Sequence, residues 1–591
     1  MIRQLHFFQQ FQSKTRLVKQ CNCLLFAFLF CSIPLLSQVS FLESAASFGM
    51  NISYGDSDLG GGVSFIDFNN DGWDDITFAT EDTEEICFLE NNNGLLTRVY
   101  FTGISNTLKT KQIIWVDYDN DGDKDLFVTA LNGSNHFYKN NGAMVFTDIS
   151  NSIGFFTENK HTTGATFGDI DNDGDLDAFI CNRDDENESE RNYLYQNNDG
   201  IYTDISEQAG ILLTSEISFC AVFFDYNNDG FQDIYVANDK PTYPNRLYKN
   251  NGDSTFEDAS ESSGAGISIN AMTTTIGDYN NYGWFDIYVT NTPDGNQLLR
   301  NNGDGTFTDK ARDTNTEFNS VGWGAVFLDA DNDAELDLYV SGEFDGSISS
   351  LLPSAFYHNQ GNDTFEIPDD IGFEEDTRKS YSNAIGDIDN DGKPDIVVSN
   401  DTETNFLFNN KSTNANNWIK IQLEGTLGNS DGIGNRIEVF AGGKSQYRYT
   451  FCGEGYLSQN SSNEFIGLGS ASSIDYIKIT WNHSGVVELI EQVEVNQSIL
   501  IQEGNGIILG KDAFSIAKLN VFPIPSRDGV FHITSNTTFE SFKLAVYTIT
   551  GKFLFSVNDN DSIDISSHGK GIYLVKIITD NQIYTKKLLY L

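Results

Sequence analysis

Asp117-Tyr118-Asp119-Asn120-Asp121-Gly122-Asp123-Lys124-Asp125 is the stretch whose reading decides the fold. Acidic residues stand at positions 1, 3, 5, 7 and 9, with glycine at 6. A hard cation such as Ca²⁺ takes about six to eight oxygen ligands around one point. Carboxylates on alternate residues of a tight loop can supply them, and glycine at 6 permits the sharp turn.

The pattern recurs, starting at Asp67, Asp117, Asp169, Asp225, Asp278, Asp329 and Asp387, with spacings of 50, 52, 56, 53, 51 and 58 residues. A period near fifty points to a propeller or an array. Each unit has one anatomy. An apolar or glycine-rich run leads in, such as Ala221-Val222-Phe223-Phe224. The acidic loop follows, then a strand such as Leu126-Phe127-Val128. A second aromatic strand closes on an Asn turn, as in Phe137-Tyr138-Lys139-Asn140-Asn141-Gly142, and a short Phe-x-Asp strand ends the unit, as in Phe146-Thr147-Asp148. Four short strands separated by turn residues make one antiparallel blade.

An EF-hand is the competing reading, and it needs Glu at loop position 12 between two helices. Position 12 here is Phe78, Val128, Ile180, Val236, Val289, Val340 and Val398, all apolar and inside the following strand. The ligand set therefore ends at position 9 and the loop joins two strands.

The seven units resemble FG-GAP/VCBS repeats, related to those of integrin α-subunit propellers, over roughly residues 39–416. The resemblance implies Ca²⁺ in the loop between the first two strands of a blade. It implies side-chain ligands at positions 1, 3, 5 and 9 and a backbone carbonyl at 7. On that basis four loops are complete: Asp117, Asp119, Asp121, Asp125; Asp169, Asp171, Asp173, Asp177; Asp329, Asp331, Asp333, Asp337; and Asp387, Asp389, Asp391, Asp395. Two carry Asn at 3: Asp67, Asn69, Asp71, Asp75 and Asp225, Asn227, Asp229, Asp233. The seventh set, Asp278, Asn280 and Asp286, has Tyr282 at position 5 and is expected to bind weakly or not at all. Ala334 replaces the loop glycine of the Asp329 unit, and is strained if its φ is positive.

The last unit ends at Phe406-Leu407-Phe408-Asn409-Asn410 without its Phe-x-Asp strand. Val39-Ser40-Phe41-Leu42-Glu43-Ser44, ahead of the first unit, is expected to supply it and close a seven-bladed ring with no long free edge.

Beyond the ring, residues 417–503 alternate as strands, for example Tyr476-Ile477-Lys478-Ile479-Thr480-Trp481, and read as a small β-sandwich. Asp431-Gly432-Ile433-Gly434-Asn435-Arg436 and Gly455-Tyr456-Leu457-Ser458-Gln459 resemble the ASPIC/UnbV domain of cartilage-acidic-protein-1-like proteins. Residues 504–517 read as a linker. Residues 518–591, with Val521-Phe522-Pro523-Ile524-Pro525 and Gly571-Ile572-Tyr573-Leu574-Val575-Lys576, resemble the type A sorting domain of the Bacteroidetes type IX secretion system. That resemblance implies secretion machinery as a partner and a place outside the cell or on its surface. The fold class expected is all-β, a seven-bladed propeller followed by two small β-sandwich domains.

Residues 1–38 read as a signal peptide, with Arg3, Lys14, Arg16 and Lys19 before the apolar run Leu24–Leu36. No other segment is long and apolar enough to span a bilayer. Net charge is -49, with 36 Lys+Arg against 85 Asp+Glu, which excludes a basic nucleic-acid-binding face and suits cation binding. Cys87, Cys181, Cys220 and Cys452 remain after the signal and are read as buried thiols, a Cys181–Cys220 bridge staying open. Gly428-Asn429-Ser430-Asp431-Gly432 fits GxSxG but lacks the strand-to-helix turn of a nucleophile elbow. Asp345-Gly346-Ser347-Ile348-Ser349 fits DxSxS and is read as a plain loop. The expectation is a non-enzymatic secreted binder of an extracellular glycan or protein, with structural Ca²⁺. A polysaccharide lyase or hydrolase acting at the ring's face is the alternative.

Overall fold

The computed structural model describes residues 39–509, apart from 54, 57 and 185–188, and residues 520–591, apart from 523–525, 535–541, 549–551, 559–561 and 580–582. The signal at 1–38 and the Pro523-Ile524-Pro525 motif lie outside the described residues. Two compact units divide at Ile507/Ile508.

Among the described residues, the ring of the first unit contains seven sheets, each built on four antiparallel strands, the first of them joined by a fifth, parallel strand. The second of them runs Thr110–Val116, Asp125–Ala130, His136–Asn140 and Phe146–Asp148. Its first two strands are buried along their whole length, and the outermost buries only Phe146. This gradient explains why the inner strands are near-continuous apolar runs while the outer one keeps a single aromatic. Every position-12 residue is fully buried. Aromatic rings fill the wedges between neighbouring sheets, as with Phe68 against Trp115 at 4.8 Å and Phe127 against Phe167 at 5.5 Å.

The N-terminal strand closes the ring as expected. Phe41–Glu43 pairs with Phe406–Asn410, Phe41 opposite Asn410. A chain of side-chain amides runs around the same circle. The Asn at loop position 4 donates to the carbonyl of position 6 in the next loop, from Asn70→Gly122 (3.3 Å) through Asn120→Gly174 and Asn172→Gly230 (3.0 Å each), and the circle shuts with Asn390→Gly72 at 3.0 Å. Three one-turn helices, Ser206–Ala209, Ser260–Ser263 and Ala311–Thr314, follow outer strands and were not visible in the strand pattern.

Residues 417–508 form two sheets, Asn463–Gly469/Asn417–Glu424/Gln497–Gln502 and Lys444–Tyr449/Arg436–Ala441/Ile474–Trp481/Val486–Ile490/Ile507–Ile508. Their facing sides share one apolar core that includes Ile419, Ile437, Ile477 and Trp481. The boundary expected at 503 moves outward, because Ile507–Ile508 extends the larger sheet.

This segment is not a free-standing follower of the ring. Its stretch 452–461 runs down the ring's axis. Ser458–Gln459 pairs in parallel with Val63–Ser64 of the first sheet. The Gln459 amide accepts from the Trp115 N–H (2.8 Å) and donates to the Trp115 carbonyl (2.7 Å). Phe167 N–H donates to the Cys452 carbonyl, and the Ser382 hydroxyl to that of Tyr456. Tyr456 and Leu457 are buried, with Tyr456 against Trp323 (5.1 Å) and Phe219 (5.5 Å). Gly62 permits the approach, since a Cβ there would lie 2.3 Å from the Leu457 carbonyl oxygen.

The second unit has sheets Asn520–Phe522/Val530–Thr534/Ser562–Asp564 and Phe553–Asn558/Phe542–Thr548/Gly571–Thr579/Ile583–Tyr590. Its core gathers Phe531, Leu544, Val546, Ile563 and Val575. Cys87, Cys181, Cys220 and Cys452 are buried free thiols, so the Cys181–Cys220 bridge left open by the sequence is not formed. No helix among the described residues is long and apolar enough to cross a membrane.

Candidate metal centres in the ring loops

Positions 1 and 9 build each loop. The position-1 carboxylate accepts the N–H groups of positions 5 and 6, as in Asp121→Asp117 Oδ1 (3.0 Å) and Gly122→Asp117 Oδ2 (2.8 Å). The same two bonds recur at Asp67, Asp169, Asp225, Asp278, Asp329 and Asp387. The position-9 carboxylate reaches the third strand. Its Oδ1 accepts the N–H of the Asn that opens the Asn turn, at 2.6–2.8 Å in all seven units. That Asn also ties neighbouring sheets together. Asn91 Nδ2 donates to Ile388 O, and Asn197 Nδ2 to Tyr118 O. The sequence pattern offered the Asn only as a turn former. Its role as an inter-blade tie had a signal in its recurrence in all seven units, six residues before Phe146, Phe256 and Phe307.

Positions 3 and 5 are where the loops differ. Ligand-capable oxygens lie within 4.8 Å of one another in Asp117/Asp119/Asp125, Asp169/Asp171/Asp177, Asp329/Asp331/Asp333 and Asp387/Asp389/Asp395. These are the four loops the sequence reads as complete. In three of them the position-3 oxygens Asp119 Oδ1, Asp171 Oδ1 and Asp389 Oδ1 are buried and accept no hydrogen bond. A buried carboxylate oxygen without a donor is costly, and an all-oxygen set of this kind suits a hard cation. The residues present therefore fit the ion. The Asp67, Asp225 and Asp278 loops, with Asn69, Asn227 and Asn280 at position 3, have one carboxylate fewer there and gather no such cluster of three carboxylates among the described residues.

Electrostatics point the same way. Burial pushes Asp75 and Asp125 up to about 9 and holds Asp177, Asp233, Asp286 and Asp395 well above the usual carboxylate range. Burial likewise raises Asp117, Asp173, Asp225 and Asp278 to about 6. A divalent cation supplies the charge that lets such groups ionise at neutral pH. Ala334 has φ 78°, so the loop that lost its glycine does carry left-handed strain.

The 417–508 segment lies over these loops. Asp431 Oδ2 accepts the Asp117 N–H at 3.0 Å, a service that the position-8 side chains Asp74 and Gln232 of adjoining blades perform for Asp387 and Asp169. Asp431 Oδ1 meets Lys124 Nζ at 2.5 Å, with the two side chains 9% and 8% exposed. Ser430 donates its hydroxyl to the Asp117 carboxylate, which occupies the central residue of the GxSxG-like stretch. Lys420 Nζ reaches Asp387 Oδ2 at 3.0 Å, and Arg436 Nη2 donates to Gly283 O at 2.8 Å. Beneath the Asp278 and Asp329 loops, a cavity of about 90 Å³ includes Arg448, Glu454 and Glu464 in its wall. Burial raises Glu454 to about 7 and Glu464 to about 8.

Family comparisons agree with this anatomy. The FG-GAP-like repeat model matches residues 67–128, 117–180, 225–289, 278–340 and 348–398. The ASPIC and UnbV model matches 425–508, and the secretion system C-terminal sorting domain matches 520–590. Cartilage acidic protein 1 of Xenopus tropicalis is 24% identical over 265 residues, covering 43% of this chain and 40% of that protein, so this chain spans well under half of its length. Among solved structures, the extracellular domain of a hybrid two-component system from B. thetaiotaomicron is similar at 11% identity and TM-score 0.39, over 93% of this chain and 66% of that one. The extracellular domain of a one-component system from the same organism aligns at 10% identity and TM-score 0.37, over 94% and 60%. The sorting domain places the protein outside the cell or on its surface and makes the secretion machinery a partner.

Proposed function

We propose that this chain, which carries FG-GAP-like repeats, an ASPIC and UnbV domain and a secretion sorting tail, is a calcium-fastened extracellular binding scaffold and not an enzyme. The observation that carries the calcium reading is the buried, donor-less oxygen at position 3 of the Asp117, Asp169 and Asp387 loops. Asp119, Asp171, Asp331 and Asp389 would hold the ions together with their loop partners at positions 1, 5 and 9. The ion supplies charge and rigidity. The protein's own residues fold the loops, tie the sheets and dock the ASPIC and UnbV segment across the loop face.

Binding is favoured over catalysis because Tyr456 and Leu457 pack the axis, where an active site at the ring's centre would need space. Ligand contact is therefore assigned to the rim. Bound calcium measured by equilibrium dialysis of the purified chain against millimolar calcium tests the scaffold reading. About four ions per chain are expected, falling by one in Asp119→Ala. A chain that binds none at millimolar free calcium would overturn it.

A further inference from the structure

One loop departs from the repeat at both variable positions, with Asn280 at 3 and Tyr282 at 5. Its backbone is unchanged. Tyr282 N–H donates to Asp278 Oδ1 at 3.0 Å, Gly283 N–H to Asp278 Oδ2 at 2.7 Å, and Asn301 N–H to Asp286 Oδ1 at 2.8 Å. The loop's shape thus does not need acids at 3 and 5, and those side chains are available for another task.

They border an open cleft of about 380 Å³ between the Asp278 and Asp329 loops, the turn at Gly361–Asp363 and Lys444 of the ASPIC and UnbV segment. Tyr282 is 67% exposed, although it sits beside buried Tyr279. Asn281 Nδ2 donates to Ala334 O (2.9 Å) and Glu335 Oε2 (3.2 Å), which fixes the amide as part of the cleft's wall. Lys444 Nζ meets Glu335 Oε1 at 2.5 Å, closing one side. Asn362 and Asp363 are exposed at the mouth.

We propose that this cleft is a binding site for a neutral saccharide. A pyranose offers an apolar C–H face, which suits the Tyr282 ring, and adjacent hydroxyls that both donate and accept. Asn280 and Asn362 carry paired donors and acceptors, and Asp363 accepts from hydroxyls. The volume falls within the range of small-ligand sites, at the scale of one or two sugar rings. Glu335 and Asp363 disfavour an acidic sugar, since like charges repel. The inference rests on the binding-scaffold reading and gives it a ligand class and a location.

The test is calorimetric titration of the full chain in millimolar calcium with short neutral gluco-, galacto-, manno- and xylo-oligosaccharides, and with oligogalacturonate. At least one neutral oligosaccharide should bind. Tyr282→Ala should weaken it by about tenfold or more, at an unchanged melting temperature. The double substitution Asn280→Asp/Tyr282→Asp, which restores the repeat pattern, should abolish it. The proposal fails if no neutral oligosaccharide binds, if only the uronate binds, or if binding survives both variants. Calcium content measured on the same sample separates failure of this site from failure of the scaffold.

Discussion

The Asp117 and Asp278 loops share a backbone and differ in what they can hold. The position-1 carboxylate takes its two N–H bonds at 3.0 and 2.8 Å in one and at 3.0 and 2.7 Å in the other. The position-9 carboxylate takes its Asn N–H at 2.7 and 2.8 Å. Yet Asp119 and Asp121 stand in the first where Asn280 and Tyr282 stand in the second, and of the two only the first gathers a cluster of three carboxylates. Positions 1 and 9 therefore make the turn, and on the proposed calcium reading positions 3 and 5 set whether it can take an ion. The overlying segment contacts each differently, with a buried Lys124–Asp431 pair at one and an arginine on a carbonyl at the other.

The largest expected effect is chelation. At about 2 mM calcium and a dissociation constant of about 10⁻⁴ M, each site stabilises the fold by about 1.8 kcal/mol. Four such sites would contribute about 7 kcal/mol, comparable with a typical domain's net stability. The melting temperature should drop, and amide exchange should rise in the Asp117 loop but not in the Asp278 loop. Equal loosening of both would break the comparison.

Next comes Lys124→Met, which leaves Asp431 buried without its cation and should cost about 3–5 kcal/mol by denaturant unfolding. Lys124→Met/Asp431→Leu should recover much of that loss. A single-variant cost below about 1 kcal/mol would place the pair with ordinary surface ion pairs.

Asp286→Ala sharpens the structural half of the comparison. It strips the acceptor from a buried Asn301 N–H and should cost about 1–3 kcal/mol, equally in calcium and in chelator. Asp125→Ala should cost more in calcium than in chelator.

Below the Asp278 and Asp329 loops, burial raises Glu464 from 4.5 to about 8 on folding. A carboxyl raised on folding contributes stability that is fully present below its unfolded pKa and is lost as pH climbs through the folded value. The calcium-saturated chain should therefore lose stability between about pH 4.5 and 8, and Glu464→Gln should flatten that slope in melts across the range. An unchanged slope would assign the loss elsewhere. The smallest effect is a gain. Ala334→Gly should stabilise the Asp329 loop by about 1 kcal/mol, because glycine accepts φ 78° without strain.

Much of this was legible in the chain alone because it is periodic. Alternating acids around a glycine mark a turn, and seven copies with an apolar position 12 mark the first turn of a blade. The displaced strand at Phe41–Glu43 could be inferred from a missing Phe-x-Asp unit. The division between complete and depleted loops was also readable from Asn69, Asn227, Asn280 and Tyr282. What could not be read was the part each acid plays, since Asp75 and Asp119 look alike on paper. One is consumed by backbone N–H groups, while the other keeps an oxygen that nothing donates to.

The sequence by itself determined the repeat, its strands, its ring closure and its candidate ligands, because local turn chemistry and side-chain period act over a few residues. Only the tertiary structure decided that 452–461 fills the axis, that Asp431 serves Asp117 across 314 residues of chain, and that Tyr282 borders a cleft. Those features depend on contacts between distant segments, which leave no period in the chain and follow from how the ring and the 417–508 segment exclude water from the face they share.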